Sequence, residues 1–535
     1  MILLLYITLI IFSIDALAYA VFFGSWIFYI VSVLLFVSFV LILRHKNNAQ
    51  TKVSIEGWKI GPALELTDPD NPQKIENAVF PTKALNLGVL ILGGPGSGKT
   101  ELSISIFEVL PKIAPNCGTA YFEGKGDIDI YKKTVACGRK PDYFFSTELE
   151  GSDSLNLMQG ESQDVTDRLT RLLIGQTSST SFYSDSQRAL LNCVVPVLKG
   201  LGEPVNLRDL FTCLSVPAAA NEVLLRAREA DVDPTMLSLY QQWIDIKPED
   251  RIKELKGLLN KLFIFCVGQY ADRLNCYQPD IVISDIVKNN QFVYFHMPLS
   301  EFARDVAIAV VEMFGVEARH RQLSGPEKNN MFVQLMDDWG GFFYDGFGPY
   351  SARCRSARMP LIFSFQSWAQ VESISQSFAD ELDDNLATKI ILRVNGSKTA
   401  KFAMTLLGEH DALKVGTSDS TLSEGTNIGY VNKSRVSGRM LREFLGGEGI
   451  LSTLYENKGK MENPFLRLRF PLANYGGQDV DAIKMPAKKD HDEGDGLGLW
   501  AKYMNPSLID DLESEAFFTD EDTTSEEETF EVDEL

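Results

Sequence analysis

The longest apolar stretch stands at the start of the chain. Residues 26–43 hold nothing more polar than Tyr29, Ser32 and Ser38. At ~1.5 Å per residue such a run reaches ~27 Å as a helix, close to the hydrocarbon core of a bilayer. Residues 1–23 form a second apolar run interrupted by Asp15, and Gly24-Ser25 can turn the chain between the two. The pattern predicts a transmembrane helical hairpin over 1–43 with almost no external loop. Arg44, His45 and Lys46 follow at once, then Lys52 and Lys59. The positive-inside rule then places both the N-terminus and the soluble body in the cytoplasm. Ala16-Leu17-Ala18 has the form of a signal-peptide cleavage site, but no Lys or Arg precedes the apolar run, which favours a retained span. Asp15 is expected near the far interface or in a subunit contact.

Past the hairpin the periodicity changes. Residues 44–87 read as a linker with small β elements, punctuated by Gly61-Pro62, Pro69, Pro72 and Pro81. Residues 87–92 are an apolar run of strand length leading into a Gly-rich loop and a helix that should stop at Pro111. Residues 119–122 read as the next strand. From 163 to 270 the period is helical (165–174, 187–198, 219–229, 249–263) with no strand signal between. Strand-like runs return at 291–295, 331–336, 361–365 and 389–394, with helical stretches such as 302–321 between them. Strands alternating with helices predict an α/β fold with a mainly parallel sheet. That sheet would be built from 88–162 and 271–475 around an all-α insertion, 163–270. Residues 476–535 lose apolar periodicity and read as an acidic C-terminal tail.

Charge sharpens this division. The net charge over 535 residues is −21, but residues 490–535 alone hold 17 acids against one Lys. Residues 44–489 are close to neutral, so a basic channel in the body is compatible with the overall acidity. An ordinary 45% hydrophobic content excludes wholesale disorder. The seven cysteines contain no C-x-x-C pair and there are five histidines, which argues for reduced, buried thiols and against zinc.

The chemistry is carried first by Gly93-Gly94-Pro95-Gly96-Ser97-Gly98-Lys99-Thr100, a G-x-x-x-x-G-K-[ST] run between a strand and a helix. Glycines let backbone N–H groups turn inward on phosphate oxygens. Lys99 can reach the β- and γ-phosphates, Thr100 can ligate Mg²⁺, and the helix aims its positive end at the anion. The loop therefore predicts ATP and Mg²⁺ as cofactors. A second acidic strand is needed, and 331–336 ending in Asp337-Asp338 fits: Asp337 beside the metal, Asp338 as base for the attacking water. Asp383-Asp384 lacks a preceding apolar strand. Gln366 ends the strand 361–365 where a side chain can sense the γ-phosphate. Arg353, Arg355 and Arg358 lie upstream, with Arg358 the first candidate for an arginine reaching a neighbouring subunit's nucleotide.

The order of membrane hairpin, phosphate loop, helical insertion and Asp-Asp strand resembles the type IV secretion coupling proteins, the TraD/TraG-like membrane-anchored P-loop ATPases. Tyr121-Phe122-Glu123-Gly124-Lys125-Gly126-Asp127 is similar to that family's D-x-K-G-[ED] run. Ser154-Leu155-Asn156-Leu157 is similar to its Y-N-P-L segment, 182–191 to the entry of its helical domain, and Ala357-Arg358 with Gln366 to its G-R…Q segment. The resemblance spans roughly residues 1–475. It implies a RecA-like P-loop domain in a bacterial inner-membrane protein that forms a homo-oligomeric, hexameric ring with nucleotide at subunit boundaries. It also implies ATP hydrolysis coupled to delivery of DNA–protein or protein substrates to a secretion channel, with DNA and channel components as partners. The C-terminal tail would recruit substrate or an adaptor protein, its apolar anchors including Trp500, Tyr503, Met504, Leu508 and Leu512. The family usually carries Asp-Glu where this chain has Asp337-Asp338, which bears on turnover. Two other readings fit the motor: an FtsK/HerA-like double-stranded DNA translocase, and a weakly hydrolysing, nucleotide-gated docking platform. The acidic end speaks against the first. Leu323-Ser324-Gly325 resembles an ABC signature only in part and lies on the wrong side of the acidic strand.

Overall fold

The computed structural model describes residues 57–175, 182–325, 330–344, 346–420, 423–457, 460–462 and 464–504. The expected hairpin over 1–43 lies outside them, as do Leu508 and Leu512. Among the described residues no helix is long and apolar enough to cross a membrane.

The strands are β1 (Gly57–Glu65), β2 (Gln73–Pro81), β3 (Val89–Leu92), β4 (Gly118–Glu123), β5 (Tyr143–Ser146), β6 (Phe292–His296), β7 (Phe332–Asp337) and β8 (Leu361–Phe365). They continue with β9 (Thr388–Leu392), β10 (Glu409–Ser420), β11 (Ser423–Ser434), β12 (Glu448–Thr453), β13 (Tyr455–Asn457), β14 (Lys460–Glu462) and β15 (Phe465–Arg469). Eleven of them form one sheet in the order β2-β1-β15-β12-β9-β3-β8-β7-β4-β6-β5. From β5 to β9 all neighbours are parallel. β12, β15 and β1 then extend the sheet antiparallel. The sheet is therefore mixed, its parallel part carrying the motif strands. β10 with β11 and β13 with β14 form separate hairpins.

The parallel strands read as unbroken apolar runs because both faces are covered. Val89 and Ile91 enter one core, where Leu102, Ile106, Phe107 and Leu110 of helix Lys99–Ile113 meet them. Leu90 and Leu92 enter the other. This helix does not end at Pro111 but carries it inside its last turn. The strand before the loop starts at Val89 rather than 87, because Gly88 has φ +77°.

The helical region contains Ser162–Leu169, Phe182–Gly200, Leu207–Ser215, Pro217–Glu229, Pro234–Ile244 and Pro248–Cys266. Its apolar residues, among them Leu169, Leu191, Val194 and Leu210, belong to the same core cluster as Leu90, Phe122 and Phe363. It is thus continuous with the sheet's packing. In helix Leu207–Ser215 the polar residues Arg208, Asp209, Thr212 and Ser215 fall at helical spacing, yet Asp209 and Thr212 are buried along with the apolar ones.

The largest departure from the sequence reading is at the C-terminal end. Residues 476–504 are not a loose tail. They run back over the body as a strap: Lys489 pairs with Asp153, Arg208 with Glu493, and the Leu497 N–H donates to the Pro204 carbonyl at 3.0 Å. The strap ends in helix Leu499–Tyr503 against the helical region, with Leu499 fully buried. Trp500, Tyr503 and Met504, expected to anchor a partner, pack on the chain's own core.

Candidate functional site

Parallel strands deliver their C-terminal ends to one edge, and the motif residues collect there. The Gly93 N–H donates to the Phe365 carbonyl at the end of β8 (3.3 Å), and the Gly94 N–H to the Arg393 carbonyl just past β9 (2.7 Å). The loop is thereby clamped between β8 and β9. Gly96 and Gly98 adopt φ of +66° and +95°, the left-handed region that side chains resist. A Cβ on Gly98 would stand 2.9 Å from the Gly447 nitrogen, so glycine also permits the close approach of that backbone. Ser97 is buried, and its Oγ has no hydrogen-bond partner among the described residues.

Helix Lys99–Ile113 starts at the loop. Lys99 is buried and its Nζ donates to the Gly94 carbonyl at 3.3 Å. Burial holds its pKa below the ordinary lysine value, against the opposing pull of Asp338 and Asp337. Asp337, at the end of β7, is fully enclosed. Its Oδ1 accepts hydrogen bonds from Ser364 (2.6 Å) and Ser103 (3.0 Å), and the Thr100 side chain stands near the carboxyl. Its Oδ2 has no partner among the described residues. Burial raises the Asp337 pKa, and the neighbouring Asp338 adds to the rise. An enclosed carboxylate oxygen without a donor, beside the Thr100 hydroxyl, is the hard oxygen pair that Mg²⁺ selects. Thr100 and Asp337 could hold the ion, and its charge would neutralise that of the β- and γ-phosphate oxygens.

Asp338 follows in the left-handed region (φ 53°, ψ 44°), which turns its side chain out of the strand's alternation. The Gln366 amide donates to both its oxygens, at 3.1 and 3.0 Å. The two predicted polar groups, 28 residues apart in sequence, therefore meet over the end of β7 and β8.

Arg358 is placed elsewhere. Its carbonyl accepts the Phe332 N–H at 3.0 Å, at the start of β7. That is the opposite edge of the sheet, about 17 Å from Asp337 along the strand. The discounted pair also lies away from the loop: Asp383 bonds Lys389 at 3.0 Å near the start of β9.

Three features had no role in the motif reading, although Glu123 stood within a quoted run. Arg393 donates to the Pro95 and Gly96 carbonyls (3.3 and 3.0 Å). The Gly447 N–H donates to the Ser97 carbonyl at 2.9 Å. Glu123, at the end of β4 beside Asp337, is buried and accepts the Lys125 and Gly126 N–H groups at 2.7 and 2.9 Å. Burial pushes its pKa up to about 7. Beside it the buried His296 is pushed down to about 4, again by burial. An acidic residue closing a buried strand was the signal for Glu123. Arg393 and Gly447 carried none, since only the β9 and β12 pairings bring them to the loop.

With this geometry in view, residues 345–443 match the family described as the TraM recognition site of TraD and TraG. The chain carries the TraD/TraG segment. That segment holds β8, Gln366, β9 and Arg393, so the resemblance drawn from the motif order is borne out by a family match inside the α/β body. No curated protein matches the chain. Among solved structures, the plasmid coupling protein TrwB in complex with the GTP analogue GDPNP superposes with a TM-score of 0.54 at 14% identity, covering 82% of this chain and 94% of that one. TrwB in complex with ADP and Mg²⁺ gives 0.52 at 14% identity, over 77% and 88%. The conjugative coupling protein TrwBdeltaN70, unbound, gives 0.53 at 14%, over 82% and 93%. At this identity the likeness is one of fold: an α/β body with a large, mostly parallel sheet, as in TrwB.

Proposed function

We propose that this TraD/TraG-type chain is a membrane-anchored ATPase that couples ATP binding and hydrolysis to delivery of DNA–protein or protein substrates to a type IV secretion channel. One observation carries the reading: Lys99, Thr100, Asp337, Asp338 and Gln366, drawn from three separate strands, converge on one sheet edge. In this reading the loop and Lys99 bind the phosphates, and Thr100 and Asp337 hold Mg²⁺. Asp338, oriented by Gln366, accepts the proton of the attacking water. Arg358, on the far sheet edge, is withdrawn from its own loop and supplies charge to a neighbouring copy's nucleotide in a hexameric ring. The anchor is the 1–43 hairpin, and the inner membrane is its site. Residues 505–535 are the segment left to recruit substrate or adaptor.

Lys99→Ala tests this reading. It should abolish ATP hydrolysis and substrate transfer while the protein still enters the membrane fraction. Normal hydrolysis by that variant would sink the assignment. A docking platform with little turnover has one observation in its favour, that Gln366 engages both Asp338 oxygens. A turnover rate for the wild-type protein decides between the two.

A further inference from the structure

β9 brings a second cation to the phosphate loop. It runs parallel to β3, with Ile391 opposite Leu92, and Arg393 stands two residues further on. Arg393 meets the loop through backbone and side chain. Its carbonyl accepts the Gly94 N–H at 2.7 Å. Its Nη2 donates to the Pro95 carbonyl at 3.3 Å and the Gly96 carbonyl at 3.0 Å. A Cβ on Gly96 would come within 3.3 Å of that nitrogen, so glycine leaves room for the guanidinium. Lys99 uses the adjoining acceptor, the Gly94 carbonyl, at 3.3 Å. Two cations, one from the helix and one from β9, thus sit on three successive carbonyls of one loop.

The acceptors decide the next step. A carbonyl is neutral, whereas a phosphate oxygen is anionic and adds opposite charge and the geometry for a paired, two-bond contact with a guanidinium. Guanidinium also offers five donors in a rigid fork, and Nη2 alone makes the carbonyl contacts, leaving Nη1 and Nε for other acceptors. Lys99 of a G-x-x-x-x-G-K-[ST] loop serves the β- and γ-phosphates, and Arg393 sits on the adjoining carbonyls.

We propose that Arg393 is a nucleotide-binding cation acting in cis, which trades the Pro95 and Gly96 carbonyls for oxygens of the terminal phosphate and so lets the chain tell ATP from ADP. The proposal rests on the ATPase reading above.

The test measures binding of a non-hydrolysable ATP analogue and of ADP, with Mg²⁺, to the full chain in detergent. Arg393→Ala and Arg393→Gln should each weaken the ATP analogue about ten- to a hundredfold, the loss of one charged hydrogen bond. ADP binding should change less than about threefold, and Arg393→Lys should recover part of the loss. Gln keeps an amide donor for the carbonyls but no charge, so it separates sensing from bracing of the loop. Equal weakening of both nucleotides, or wild-type discrimination in Arg393→Gln, would make Arg393 a brace and overturn the proposal. If Arg393→Ala does not fold, the Gln and Lys variants carry the comparison. Lys99→Ala run alongside keeps the two failures apart. Undiminished binding there indicts the ATPase reading, whereas loss there with intact discrimination in the Arg393 variants indicts this proposal alone.

Discussion

Truncating the chain after Asp490 should loosen the helical region, although it removes what composition describes as an acidic tail. Leu499 is 0% exposed. Its N–H donates to Asp209 Oδ1 at 2.9 Å, and the Tyr277 hydroxyl donates to the same oxygen at 3.0 Å. Asp209 in turn caps helix Leu207–Ser215 through a reciprocal pair with Asn206. Burial has pushed the Asp209 pKa up to about 6 while these donors pull it back. Re-exposing the core that Leu499 covers costs ~1.5–3 kcal/mol. Leaving a buried carboxylate short of one donor costs a similar amount. Trp500, with its ring 5.9 Å from Phe211 and the Arg208 guanidinium 5.4 Å above it, adds ~0.5–1.5 kcal/mol. The sum, roughly 3.5–7.5 kcal/mol, approaches the whole stability of an ordinary domain. Hydrogen exchange over residues 207–229 measures it directly. Truncation after Asp490 should strip protection there, truncation after Met504 should leave it intact, and Leu499→Ala should fall between. Equal protection in the full chain and the Asp490 truncation would refute the stabilising role of the strap. If the strap does stabilise, a transfer defect on deleting 490–535 would mix loss of that support with any loss of recruitment. Only a truncation after Met504 isolates recruitment by the remaining segment.

Asp338→Asn should keep ATP binding and slow hydrolysis ~10²-fold or more, as expected when a general base is lost. An unchanged single-turnover rate would remove Asp338 from the chemistry. His296→Gln should change the pH dependence of stability. Glu123, lifted to about 7 from 4.5, costs stability as pH rises through that window, whereas His296, depressed to about 4 from 6.5, costs stability as pH falls. The two slopes oppose each other between about pH 4.5 and 6.5. Without the histidine, acidification from pH 7 to 4.5 should stabilise the variant relative to wild type by up to ~3 kcal/mol. Parallel urea-midpoint curves for the two proteins would refute this.

Where the candidate site draws on one contiguous run, its geometry was readable in the sequence. The phosphate loop is eight consecutive residues between a buried strand and a helix, and Asp337-Asp338 closes an apolar run that needs both faces covered. Gln366 was readable for the same reason. Strand ends in a parallel sheet share an edge, so three runs called strands already predict one meeting place. The antiparallel extension was less visible. β12 and β15 are as long as the parallel strands, but β12 is followed by a small hairpin rather than a helix, so they lack the strand–helix alternation that betrays parallel units.

What remained hidden is the contribution of chain that pairing alone brings home. Arg393 reaches Gly96 across 297 positions, and nothing about Leu392-Arg393-Val394 distinguishes it from an arginine at any strand end. Its place at the loop follows from the order β9-β3-β8, which puts that loop between two parallel neighbours: β8 accepts the Gly93 N–H through the Phe365 carbonyl, and β9 leads to Arg393. The strap shows the converse error. Leu497, Leu499 and Trp500 stand among acids, and local composition reads such residues as anchors for a partner. Composition is silent about whether the partner is another molecule or the same chain. Here Asp209 decides it: a carboxylate buried at the start of a helix needs donors, and the Leu499 N–H is one of them. The apolar residues of the strap are therefore explained by the chain's own core, and any recruiting function has to be sought in the residues beyond Met504.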